Sequence, residues 1–313
     1  MVARILAGAG SEKRALRLLS ELEGGPWEMR ERLYFMLRAL LRDDHDSILY
    51  ASRVYRRFFT EYRRHSGRPA PPEAVLELGP GRNLAIAVLA TCAGTSRYAA
   101  VDLNPKLRGR PLWFYRQLLD EIAADPSLLV APPEALPGLA ERCRGMIAAA
   151  GEGTEEAEIG AGRIDYRCPC DAGALPFESG SFEFAFSNAA FEHFDDPGAA
   201  LAELRRVLRP GGITVHKIDF KYHRDKSRPL AHLAFDDAEW EDRRRKHGWT
   251  NRWRRPDYLE AAAQTGFEVI EAPVTSSAPM TPELLATFIP RFQALPDEDL
   301  AALGILLALR VPS

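Results

Sequence analysis

Ala74-Val-Leu-Glu-Leu-Gly-Pro-Gly-Arg-Asn83 decides how this chain is read. Four apolar residues interrupted only by Glu77 suit a buried strand, and a glycine turn ends it abruptly. Gly79 and Gly81 carry no Cβ, so the backbone there can turn tightly and approach a ligand closely. A dinucleotide fingerprint would require a further glycine three positions after Gly81, where Leu84 stands. A pyrophosphate would also be repelled by Glu77. A cationic ligand suits that acidic rim better.

Working outward, short apolar runs alternate with helical stretches, the pattern of a parallel sheet with helices on both faces. Leu84 to Ala93 follows as a helix, and Tyr98-Ala-Ala-Val is the second strand, ending at Asp102. A carboxylate in that place can accept from both hydroxyls of a ribose. Strand-like sequence resumes at Ile164-Asp-Tyr-Arg and at Phe182-Glu-Phe-Ala-Phe. Asp196-Pro197 is a good helix start, and Leu201, Leu204, Val207 and Leu208 give that helix an apolar face ended by Pro210-Gly-Gly. Ile213 to Ile218 predicts a strand, Pro256 to Thr265 a helix, Phe267 to Ile270 a strand and Ile305 to Val311 the last strand. The fold class is therefore α/β, doubly wound, with a mostly parallel seven-stranded sheet and one antiparallel strand.

Two stretches exceed that plan. Residues 1–72 read as a helical N-terminal cap, with Leu33, Met36, Leu37, Leu40 and Leu41 at helical spacing and again Tyr55, Phe58, Phe59 and Tyr62. Residues 105–163 form a helical insertion in the domain 73–313, around Trp113 to Ile122 and Leu139 to Ala149; a plain crossover is shorter. Both are expected over the carboxyl ends of the strands, enclosing an acceptor; packed on the opposite edge, they would point to a homodimer interface instead. Residues 219–255, charged and aromatic, form a second insertion on the acceptor side.

Of the 313 residues, 46% are hydrophobic and 27% charged, the balance of a soluble globular protein. The formal net charge of −3 creates no global field to recruit nucleic acid or an anionic membrane. Cys92, Cys143, Cys168 and Cys170 lack zinc-site spacing and are too few for a disulfide framework. Arg4, Lys13 and Arg14 break up the apolar start, and no segment is long enough to span a bilayer, so a cytoplasmic location is expected.

Glu77-Leu-Gly-Pro-Gly, Val101-Asp102, Asp171-Ala-Gly-Ala-Leu-Pro-Phe, Ser187-Asn-Ala-Ala-Phe-Glu-His and Leu208-Arg-Pro-Gly-Gly occur in the order seen in class I S-adenosylmethionine-dependent methyltransferases, which this chain resembles over about residues 73–218. The resemblance implies S-adenosyl-L-methionine as cofactor. Gly79 and Gly81 would hold its methionine part, with Glu77 near the ammonium group directly or through water. Asp102 would bind the ribose, Asp171 the adenine amino group, the Ala172 amide a ring nitrogen, and the Asn188 carbonyl the ammonium group. Asn83 replaces the third glycine of many family members.

For the acceptor, His193 lies on the turn after the fourth strand; His216 falls within the fifth, on the face of Thr214 and Ile218, where it reads as the structural member, and Asp219 and His223 follow. A histidine near neutral pKa is a fitting base there and a carboxylate would orient it. The order His216-x-x-Asp219-x-x-x-His223, with Thr250-Asn-Arg-Trp-Arg, resembles methyltransferases of bacterial polysaccharide and natural-product pathways, although Tyr222 stands where many have an acid. No metal is expected at these residues, which lack a third acidic ligand. Basic runs from Tyr55 to Arg68 and from Arg243 to Arg255 read as a site for an anionic acceptor or RNA, or as solvated helix faces diluted by Glu61, Glu239, Glu241 and Asp242. The expectation is O- or N-methylation of a small polar acceptor, a sugar or sugar-derived natural product. The rivals are an RNA or protein methyltransferase and an inactive cofactor-binding scaffold.

Overall fold

A computed structural model describes residues 48–81, 83–105, 112–131 and 164–313. The periodic stretch at Leu33–Leu41, Cys143 and most of the 105–163 insertion, including Leu139–Ala149, lie outside the described residues. The chain divides into two units, Met1–Val54 and Tyr55–Ser313. The first is described only over Ile48–Val54, where helix α1 (Ile48–Ser66) begins.

Within the second unit, strands β1 (Ala74–Leu78), β2 (Arg97–Val101), β3 (Ile164–Arg167), β4 (Phe182–Asn188) and β5 (Leu208–Asp219) run parallel in the order β3-β2-β1-β4-β5. β8 (Ala302–Arg310) pairs antiparallel with β5. β6 (Glu268–Glu271) and β7 (Val274–Ser277) lie end to end along its other edge, from Glu268 opposite Arg310 to Ser277 opposite Ala302. Eight strands thus fill seven positions, and β8 alone among them runs against the rest, as the sequence pattern predicts. The strand order reverses between β1 and β4. In open α/β sheets the ligand crevice opens at the carboxyl ends beside such a switch.

Burial follows from the sequence. β4 is buried from Phe182 to Ser187, as expected of a central parallel strand covered on both faces. Helix α2 (Ala85–Ala93) is buried at every position, and its small side chains let it lie close to the sheet. Tyr55, Phe58, Phe59 and Tyr62 form one stripe of α1, each at most 1% exposed. Phe58 stacks on Phe186 (ring centroids 4.8 Å apart) and Tyr62 on Phe184 (5.1 Å). Fully burying one such ring is worth roughly 2–3 kcal/mol. From Tyr55 onward, then, α1 packs as a layer of the α/β core, its aromatic stripe covering the sheet.

Helix α3 (Leu112–Ala124) carries the described part of the insertion. Asp196 caps helix α4 (Pro197–Val207) as read from sequence, accepting from the Ala199 amide at 2.9 Å. The helix stops at Val207, however, and Leu208 opens β5 opposite Phe182. Since Ile213 pairs with Phe184, Arg209-Pro-Gly-Gly212 is a bulge inside a longer strand rather than a helix terminator. Beyond β5, Asp236 caps helix α5 (Asp237–His247), left-handed Gly248 ends it, and α6 (Arg255–Gln264) follows. Short helical turns between β7 and β8, unassigned from sequence, bring Phe288, Phe292 and Leu300 onto Leu230 and Leu233 and so support the acceptor-side insertion from below. No helix among the described residues is long and apolar enough to cross a membrane.

Candidate active site

Gly79 has φ +74° and Gly81 φ +81°, in the left-handed region that side chains disfavour. The Gly79 amide donates to the Val101 carbonyl at 2.9 Å, which fixes the turn against the end of β2. A Cβ on Gly79 would stand 2.9 Å from that of Ala190, just past β4. Between them Ala189 is held at φ +55° while its amide donates to Lys217 O at 2.8 Å. The two sides of the switch point therefore close on one another with no room for a side chain.

Asp102 is buried directly after β2. Its amide donates to Arg167 O (3.1 Å) and its carbonyl accepts from the Cys170 amide (2.8 Å), so β3 and its exit fix the backbone. Asp171 is exposed and receives the Gly173 amide at 2.8 Å in a tight turn, with Ala172 buried beside it. Asn188 ends β4 opposite Lys217, half-buried. Glu77 differs from expectation: its carboxyl is enclosed behind the rim, where Tyr98 Oη donates to it at 2.7 Å. Burial pushes this carboxyl up to about 8, against the Tyr98 hydrogen bond and with help from the charge of Asp102. The arrangement fits a nucleoside-bearing ligand: a side-chain-free turn, a buried acid beyond the second strand and an exposed acid after the third. Tyr98 is a partner that sequence reading missed, because it sits in the strand pattern as an ordinary apolar residue.

On the other side of the switch, three of the four residues read as catalytic come together. The rings of His193, after β4, and His223, after β5, lie 5.5 Å apart. Asp219 Oδ2 is 3.9 Å from His223 Nε2 and 2.9 Å from Lys221 Nζ, and its Oδ1 accepts the Lys221 amide at 2.8 Å. Burial opposes its charge, but these contacts from His223 and Lys221 prevail and hold it down to about 2. Both histidines line a cavity of about 210 Å³ whose other walls include Tyr222, Arg224, Trp240 and Trp249. Trp240 and Trp249 are 5.0 Å apart, and Trp240 Nε1 donates to Thr250 O at 3.1 Å.

His216 is not part of that group. It is wholly buried, with Nδ1 2.8 Å from Ser187 Oγ and Nε2 2.6 Å from Thr214 Oγ1. Burial pushes its pKa down to about 3, so the ring is neutral with both nitrogens engaged, a bolt between β4 and β5 rather than a base open to an acceptor.

Glu192, quoted in its motif but given no role by sequence, is 2% exposed; neither carboxylate oxygen makes a hydrogen bond to a described residue. Burial raises it to about 7, reinforced by the charge of Asp219 and opposed by that of His223. Asn251 braces this turn: its amide donates to Glu192 O (2.7 Å) and its side chain to Phe191 O and Phe194 O. The second basic run proves to be largely structural. Arg243 pairs with Glu239, Arg244 and Arg245 with Glu241, and Lys246 with Asp242. Buried Arg252 and Arg254 instead bind backbone carbonyls, including those of Phe235 and Ala302.

With this geometry in view, residues 50–272 match the family described as the methyltransferase domain. A 37.1 kDa protein of transposon TN4556 from Streptomyces fradiae is 52% identical over 42 residues, which are 13% of this chain and 12% of that protein. A chloroplastic methyltransferase of Arabidopsis thaliana is 47% identical over 45 residues, 14% of this chain and 13% of its own length. The chain thus matches only about an eighth of the length of these curated relatives. Among solved structures, the S-adenosylmethionine-dependent methyltransferase from Mesorhizobium loti is 16% identical with a TM-score of 0.43, covering 80% of this chain and 96% of that one. The chain belongs to the methyltransferase domain family.

Proposed function

We propose that this protein transfers a methyl group from S-adenosyl-L-methionine to an oxygen or nitrogen of a small polar acceptor, with a sugar or sugar-derived ring as the acceptor class. The observation that carries the reading is that two histidines from successive strand ends line one aromatic cavity, and that His193 lies three residues beyond Ala190, the residue facing the Gly79 turn. In this reading Asp102 accepts from ribose hydroxyls, Asp171 accepts from an adenine amino group and the Ala172 amide donates to the base. The sulfonium donor supplies an activated methyl carbon for in-line displacement, in which the carbon–sulfur bond breaks as the new bond to the acceptor forms. The residues of the chain need only align the acceptor, exclude water and take its proton. His223, with Asp219 stabilising its charged form, or His193 takes that proton. The walls of Tyr222, Trp240 and Trp249 offer flat apolar faces with a polar rim, which suits a ring carrying hydroxyls.

Calorimetric titration with S-adenosyl-L-methionine tests the donor. Transfer of a labelled methyl group to a panel of free and nucleotide-linked sugars tests the acceptor. Absence of donor binding would remove the whole reading, whereas donor binding with transfer only to RNA or protein would move the acceptor class alone.

A further inference from the structure

Glu61 and His65 stand one turn apart near the end of α1, and Glu271 ends β6 facing them. His65 Nε2 lies 3.3 Å from Glu61 Oε2 and 3.4 Å from Glu271 Oε1, and the three atoms fall within 4.8 Å of one another. The His65 side chain is only 5% exposed. Its Nε2 makes no hydrogen bond to a described residue, and neither does Glu271 Oε1, although both are shielded from solvent. Buried polar atoms are rarely left so. Two carboxylate oxygens and an imidazole nitrogen gathered this closely can share one partner.

The spacing suits a metal ion. Zinc binds histidine nitrogen and carboxylate oxygen at about 2.0–2.2 Å, and tetrahedral placement at those lengths separates neighbouring ligand atoms by about 3.3–3.6 Å. The charge also suits one. Two carboxylates face His65, and Arg64 donates to Glu61 Oε2 at 3.0 Å and to Glu271 Oε2 at 2.5 Å from the solvent side. Hydrogen bonds of this kind to ligating carboxylates are the usual outer support of metal sites. Arg310 fixes the backbone of His65 by donating to its carbonyl at 2.8 Å.

We propose that Glu61, His65 and Glu271 bind a first-row divalent cation of the zinc type, with a fourth position open to water. The site shares no residue with the acceptor cavity. It ties the end of α1 to the edge strand β6 and acts as a staple rather than in methyl transfer. The competing occupant is a proton, which would turn His65 into an ion-pair partner of both acids.

Titration of the chelator-treated full chain with zinc chloride at pH 7.5, followed by calorimetry and thermal melting, separates the two. The expected result is one equivalent of zinc per chain and a higher melting temperature, with affinity reduced at least tenfold in each of His65→Ala and Glu271→Gln. Absence of zinc binding overturns the site in favour of the proton. Unchanged binding in His65→Ala overturns it as well, since the ion would then sit elsewhere, for instance at Cys168 and Cys170. Circular dichroism of the metal-free variants establishes that they fold. Should His65→Ala not fold, Glu61→Gln and Glu271→Gln decide in its place, and unchanged affinity in both overturns the proposal.

Discussion

Gly79→Ala tests the closest approach at the switch point. Two separate costs follow from the structure. The residue sits at φ +74°, where an L side chain costs roughly 1–2 kcal/mol. The new Cβ would also lie 2.9 Å from Ala190 Cβ, whereas carbons in contact rest at about 3.5–4.0 Å, so the end of β4 must retreat by most of an ångström. Such overpacking costs about 1–3 kcal/mol. Replacing glycine returns about 0.4–1 kcal/mol by restricting the unfolded chain. The expected net loss is about 1–4.5 kcal/mol. Gly81→Ala is the internal control: at φ +81° it meets no described atom within 4 Å, so only the backbone cost applies and the net loss is at most about 1.6 kcal/mol. Urea denaturation of both variants and of Gly79→Ala/Ala190→Gly separates the terms. The second substitution should recover the steric share and leave the backbone share. If Gly79→Ala and Gly81→Ala lose the same stability, or if Ala190→Gly restores nothing, the contact between the two turns does not govern this site.

Further outcomes follow from the same geometry. Asp102→Ala should weaken S-adenosyl-L-methionine binding at least tenfold, since each charge-assisted hydrogen bond lost is worth about 1.5–3 kcal/mol; calorimetry on folded protein checks it. Glu77 and Glu192 have folded pKa values raised by burial to about 8 and about 7, above the ordinary 4.5, so the folded state holds protons that the unfolded state has released. Stability should therefore decline as pH rises from about 4.5 to about 8, and Glu77→Gln should flatten that decline in urea melts taken across the range. His216→Ala should lower stability by about 2–4 kcal/mol, by leaving the Ser187 and Thr214 hydroxyls without their ring, while turnover per folded molecule is unchanged. His223→Ala or His193→Ala, whichever removes the base, should cut single-turnover transfer to an identified acceptor about 10²–10⁴-fold with donor affinity intact; wild-type rates in both would leave the acceptor needing no protein base.

The turn proposed to hold the donor was legible as a turn because its shape lives in the backbone. A turn that must carry no side chain can only be written with glycine, and an acid beyond the second strand has a fixed distance from it in sequence. Gly79, Gly81 and Asp102 thus announce themselves before any packing is known. Glu77 shows the limit of that reasoning: its position in the motif was plain, yet which way the carboxyl faced depended on Tyr98, twenty-one residues away, whose hydroxyl is indistinguishable by sequence from an ordinary strand aromatic. The aromatic stripe of α1 was equally ambiguous. Tyr55, Phe58, Phe59 and Tyr62 establish a helix with one apolar face, but nothing in the spacing says whether that face covers a sheet or an acceptor.

The acceptor half was less legible because its candidates differ by burial, not by residue type. His216 and His223 are both histidines of one strand and its exit, seven residues apart. Alternation along β5 turns His216 inward between Ser187 and Thr214, where a neutral ring satisfies two hydroxyls. His223 lies past the strand, where alternation has ended and the ring can share a cavity wall with His193. The basic run at Arg243–Arg255 divides in the same way. Its helical members meet acids a turn away on α5, while Arg252 and Arg254, in the extended segment that follows, reach buried carbonyls, Arg252 with Asp237 at the start of α5 as a further partner. Each distinction rests on where an element ends, the feature that hydrophobic pattern fixes least well. Motifs carried by backbone shape therefore pass from sequence to site nearly unchanged, and side chains whose role depends on which surface they face do not.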